Sequence, residues 1–169
     1  MTTTMNRLPV STWNPLGVNY APASAALPTV PADGWAKAEI LSPALPAGVT
    51  APAEADFGDF AASGMGAETD AWLAENANLV NHLAVSDTAD APVVFENTLD
   101  ADHPHALTCL TIDAAEGSSL TVVQVVRGDA EDGVSANLTR IRAAENSHVT
   151  LVQVQLLGSR ARRWNAVAI

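Results

Sequence analysis

The sequence predicts an all-β fold: a β-solenoid of a few stacked coils, with one short helix and an irregular Ala/Pro-rich arm in front of it. Three observations carry this. Ile112 to Val125 aligns without gaps on Ile141 to Val154, an offset of about 29 residues, with most positions identical or chemically close. A period of that size is typical of chains that stack one unit on the next. Apolar and polar residues alternate through both copies, as in strands with one face buried. Finally, Pro9, Pro15, Pro22, Pro28, Pro31, Pro43, Pro46 and Pro52 interrupt any regular element before the repeats begin.

Two regions follow. Residues 1–66 form the expected arm, with Trp13, Leu16, Val18 and Trp35 as candidate anchors and Ala44 to Gly66 as the stretch with fewest of them. Residues 67–169 form the β-helical domain. The apolar share of 48% lies in the globular range, so wholesale disorder is excluded. Because aromatics are few and alanine is common, Val, Leu and Ile must build the core.

Glu68 to about Leu83 carries apolar residues at three- and four-residue steps and predicts a helix with Thr69 as N-cap. His82 to Val85 equally suits the start of a first strand. Asp87 to Ala91 is a polar turn, and Pro92 to Leu99 a strand. In each repeat a short strand leads into an Ala-Ala-Glu-Gly or Ala-Ala-Glu-Asn corner, and a longer strand leaves it. Gly117 and Asn146 are the residue types that tolerate left-handed backbone angles. Thr121, Val123 and Val125 take one face of the longer strand, and Leu120, Val122 and Gln124 the other. Stacking at about 4.8 Å sets Gln124 beside Gln153, where side-chain amides can bond along the stack. Asp129 to Gly133 is an acidic turn between coils and lacks the ligand spacing of a calcium loop.

Charge restricts the function classes. A net charge of −11 with a single lysine, Lys37, offers no extended basic surface to phosphates, so neither nucleic acid nor an anionic membrane is the expected partner. No apolar run approaches the roughly 20 residues of a bilayer span, and Met1 to Val10 shows no apolar block of a secretory signal. The expectation is a cytoplasmic protein. One cysteine, Cys109, allows no internal disulfide and cannot by itself cage an iron–sulfur cluster.

The candidate metal ligands are His103, His105 and Cys109. The two histidines would share a side of an extended chain and the thiol would join them in an unbroken strand. Pro104 interrupts that regularity, and the plainer reading is two turn histidines and a buried thiol. Neither a nucleophile elbow nor a phosphate-binding glycine loop occurs. Most carboxylates fall in turns or the arm, so no catalytic residue is assigned and the chain is not expected to be an enzyme. Arg160, Arg162 and Arg163 form the one basic cluster, bordering either a partner surface or a solvated loop.

Asn146 to Gly158, continuing to Trp164 and Asn165, resembles the core of the SufB/SufD family of iron–sulfur cluster assembly proteins, in which a Leu-Val-Gln-Val-Gln strand follows a small-residue corner. Leu79 to Val85 followed by Pro92 to Phe95 is similar to that family's first core strand and the step after it. Val10 to Asn19 resembles its Trp-containing N-terminal motif. The resemblance implies a right-handed parallel β-helix in a SufD-like scaffold subunit, which pairs with a SufB-like protein and works with the SufC ATPase while a nascent cluster is built and handed on. The later coils, the cluster-related cysteine and histidine, and the C-terminal helices of the family have no counterpart here, so none of its functional residues is carried over. An open final coil implies association, including a homodimer. The other reading is a stand-alone β-helical module that binds a sugar or a protein.

Overall fold

A computed structural model describes residues 33–40, 44–53, 63 and 67–169. Two parallel sheets face each other, and the chain alternates between them. One sheet has the order β2 (Val49–Thr50), β3 (Leu79–Val85), β5 (His105–Ala114), β7 (Val134–Ala143) and β9 (Arg162–Ala168). The other has β1 (Lys37–Ile40), β4 (Val93–Leu99), β6 (Ser119–Gly128) and β8 (His148–Leu157). This is the β-solenoid that the repeat predicts, of about three turns.

Strand pairing turns the sequence period into a spatial one. Leu79 lies beside Thr108, Val93 beside Val122, Ile112 beside Ile141, and Gln124 beside Gln153, each a step of 29 residues. From β7 to β9 the step is 28, with Asn137 beside Asn165. Within the aligned copies like therefore sits on like.

The corners bend where expected: Gly117 has φ of 69° and Asn146 of 56°. In both copies a serine hydroxyl ties the bend, Ser118 Oγ donating to Ala115 O at 2.6 Å and Ser147 Oγ to Ala144 O at 2.7 Å. The strands on either side of each corner are equally long, 10 residues each. A short leading strand was expected; instead pairing to both neighbouring coils extends β5 and β7 backwards through residues that carry no repeat signal.

Three expectations for the first half of the chain change. The helix α1 is Ala67–Asn76, and Leu79 onward is strand. Asn78 ends the helical run, because its N–H donates to Leu107 O at 2.9 Å and its Oδ1 accepts from Leu107 N at 2.8 Å, which makes it the first rung on β5. Thr69 is a buried residue inside the helix rather than its N-cap. Buried Asp70 instead receives Ser63 N at 2.6 Å and Ser63 Oγ at 2.5 Å, a carboxylate well placed near a helix N-terminus. Nor is the arm wholly irregular: β1 and β2 pair antiparallel with β4 and β3 and extend both sheets by a strand. Trp13, Leu16 and Val18 lie outside the described residues, as does most of the stretch 54–66.

Alternation sorts side chains between the interior and the outside of each sheet. Leu83, Val85, Val93, Ile112, Leu120, Val122 and Ile141 pack as one interior cluster beside the corners. Leu99, Ala106 and Val126 form a second at the opposite edge, with Ala36 and Ala130. On the outside of the five-stranded sheet, Leu73 of α1 covers Leu107, Cys109, Ala136, Leu138 and Ala166, with Trp35, Trp72 and Trp164 partly buried around them. No described helix is long and apolar enough to cross a membrane.

Candidate functional site

Between the two interior clusters the solenoid is polar. Thr108, Asn137 and Asn165 stack in one column of the five-stranded sheet; Gln124 and Gln153 stack opposite them. Gln153 Nε2 donates to Gln124 Oε1 at 2.8 Å and to Asn165 Oδ1 at 2.8 Å, and Asn165 Nδ2 returns a bond to Gln153 Oε1 at 2.6 Å. Asn137 Nδ2 reaches Asn165 Oδ1 and Thr139 Oγ1, both at 3.0 Å, and its Oδ1 accepts from Thr108 Oγ1 at 2.8 Å. The glutamine pair is the one read from the repeat. Asn137, Asn165, Thr108 and Thr139 extend it into a network spanning both sheets, because alternation aims all of them inward, Thr139 one inward position beyond Asn137. Asn137 is buried, Gln124 and Gln153 are half-buried and Asn165 is exposed; an amide taken out of water is tolerated when it is partnered in this way.

A cavity of about 210 Å³ adjoins the network, lined among others by Leu79, Asn81, Phe95, Asn97, Thr108 and Gln124. It also touches Ser135 and Arg163, so it passes several coils rather than lying within one. Arg163, Gln153, Gln155 and Asn165 line a second, more open depression.

The three candidate metal ligands go to different places. His103 sits in the turn after β4, where Asp100 Oδ1 accepts from its backbone N at 2.7 Å and lies 3.0 Å from its Nδ1. Those bonds hold the Asp100 carboxyl below its usual range. His105 opens β5, bridged to Trp35; burial, with Arg162 nearby, lowers its pKa. Cys109 is 1% exposed beneath α1, its Sγ 3.6 Å from Leu73 O. Burial pushes that thiol up to about 11, Arg140 opposing and Asp70 adding to the rise. No group of three His, Cys, Asp or Glu among the described residues could hold a metal ion.

The arginine cluster also divides. Arg160 pairs with Glu131 across the acidic turn. Arg162 is exposed on β9, whereas Arg163, one position on, takes the interior face beside Ser135. Elsewhere, Asp113 joins His82 Nε2 at 2.9 Å and Arg142 Nη1 at 3.4 Å on the outer face of the five-stranded sheet. Neither the second half of the amide network nor the inward turn of Arg163 was legible in the sequence. Position within a column was the missing information.

In comparison with known proteins, no family profile, no curated protein and no solved structure matches this chain.

Proposed function

We propose that this chain is a scaffold subunit of iron–sulfur cluster assembly of the SUF type, SufD-like, acting through interaction and without catalytic residues of its own. The observation that carries the reading is the strand β8, His148–Leu157, whose Leu-Val-Gln-Val-Gln run follows a small-residue corner and lies in register over its twin in β6. The motif that resembles the SufB/SufD core lies on a stacked coil, which supports this reading. The partners in this reading are a SufB-like protein and a SufC-like ATPase, and its location is the cytoplasm.

Two further features support an interaction role. β8 and β9 are the outermost strands of their sheets among the described residues, and an unpaired strand edge is a template for another chain. Val152 and Leu156 on β8 are 40% and 60% exposed, apolar surface that a SufB-like subunit or a second copy would cover. Cluster ligands come from the partner, since Cys109 is single and buried.

Co-expression with SufB- and SufC-like proteins and affinity purification test this reading. A stable complex is expected, with anaerobic reconstitution giving the visible absorption of a cluster only when the SufB-like partner is present. A monomer that retains neither protein refutes the proposal, and colour in the isolated chain refutes the claim that it lacks ligands.

A further inference from the structure

The interior cavity contains a cation without a counter-charge. Among the described arginines, Arg127 pairs with Glu96, Arg142 with Asp113 and Arg160 with Glu131. Among the described residues Arg163 has no ion-pair partner; the residue is half-buried, and its Nη1 is buried without a hydrogen-bond partner. A guanidinium carries five donors in a planar fork shaped for a carboxylate, and leaving one of its nitrogens buried and unmet is costly. Burial lowers its pKa accordingly, yet an arginine side chain retains its proton under ordinary conditions. In a chain of net charge −11, a positive side chain turned into the interior without any of the abundant carboxylates beside it calls for an anion from outside.

The walls define what kind of anion. The groups lining the cavity alongside Arg163 include the neutral amides Asn81, Asn97, Gln124 and Asn137, and the apolar Leu79, Phe95, Leu110 and Val126. One guanidinium balances a single negative charge; inorganic phosphate, bulkier in charge and with nothing apolar to bury, would leave the Leu, Phe and Val walls uncovered. The volume of about 210 Å³ exceeds the roughly 150 Å³ in which a dry cavity already holds benzene. Arg163 also lines the more open depression with Gln153, Gln155 and Asn165, which makes it the residue common to the cavity and the outside. We propose that the solenoid interior binds a small monocarboxylate with an apolar body, its carboxylate on the Arg163 guanidinium and its body between Phe95, Leu79 and Leu110. This inference is independent of the scaffold reading.

Calorimetric titration at constant ionic strength, with benzoate, benzamide and inorganic phosphate as probes, tests it on the full chain. Benzoate is expected to bind, with benzamide and phosphate each at least tenfold weaker. Arg163→Met removes the fork and is expected to weaken benzoate at least tenfold; because it also removes a half-buried guanidinium with one unmet nitrogen, its thermal midpoint should not fall. Val126→Phe fills the cavity while Arg163 remains, and is expected to abolish benzoate binding, circular dichroism confirming that the variant is folded. Equal binding of benzamide overturns the role of charge, and equal binding of phosphate overturns the apolar body. Unchanged affinity in Arg163→Met moves the ligand elsewhere, and no binding of benzoate at millimolar concentration leaves the cavity to water; either result ends the proposal.

Discussion

The two edges of the solenoid solve the same problem differently. At the corner edge, residues 115–118 and 144–147 turn the chain with one left-handed residue each, over an interior of Val, Leu and Ile. A Cβ added at Gly117 would meet nothing within 4 Å. At the opposite edge Gly128, with φ of 130°, lies against the coil below so closely that an added Cβ would fall 1.8 Å from Leu99 O. Behind that edge lies the second apolar cluster, Leu99, Ala106 and Val126 with Ala36 and Ala130. Both edges enclose apolar side chains, yet backbone contact is loose at the corner and tight opposite it. The lesson is that a glycine in a repeat has to be read from its neighbouring coil: Gly117 is present for its dihedral angles, Gly128 because there is no room for anything else.

Four outcomes would break or sharpen this contrast. Gly128→Ala is expected to have the largest effect, about 4 kcal/mol or loss of folding, since the clash is with backbone that cannot move aside; chemical denaturation measures it. Next comes the amide network. Gln124→Ala should cost about 2 kcal/mol by leaving Gln153 and Asn137 short of partners. A double-mutant cycle with Gln153→Ala should give a coupling of about 1 kcal/mol; additivity within a few tenths would mean that the ladder is filler and the middle of the interior no different from its ends.

The third concerns Cys109, whose thiol is pushed up to about 11 in the folded protein from an ordinary 9. Between those values the unfolded chain loses the thiol proton while the folded one keeps it, so stability is complete below pH 9 and falls as pH rises toward 11. Denaturation midpoints from pH 8 to 11, compared with Cys109→Ala, isolate this dependence, and a thiol reagent at pH 8 should label the protein only in denaturant. Smallest is Gly117→Ala, expected to cost about 1 kcal/mol from its positive φ alone. A loss as large as that of Gly128→Ala would erase the distinction between the edges.

What the sequence made legible was whatever the repeat contains: the coil step, the corners, the facing of Leu120, Val122 and Gln124, and the glutamine pair. Residues 134–140 lie outside the aligned copies, so Asn137 could not be matched to Thr108 or Asn165 until the strands were in register. The helix boundary failed for a different reason. Leu79, Val80 and Leu83 satisfy a helical spacing and a strand spacing alike, and the choice is made by a tertiary contact, Asn78 on Leu107. β1 and β2 escaped notice because they are only 4 and 2 residues long and lie among prolines. The histidines and Cys109 were read as a possible trio because an unbroken extended chain would put them on one side; β5 begins only at His105, Asp100 ties His103 into the preceding turn, and α1 covers Cys109.

The connection between β8 and β9 is one residue shorter than that between β6 and β7, yet Asn165 still lands on Asn137. The one-residue difference is taken up within the connection, and the inward-facing column of Asn137 and Asn165 keeps its phase. The connection between β6 and β7 would accommodate a foreign peptide between the exposed Glu131 and Asp132, so epitopes or affinity handles grafted there should leave the ladder aligned, making this turn the natural point at which to display cargo on the molecule.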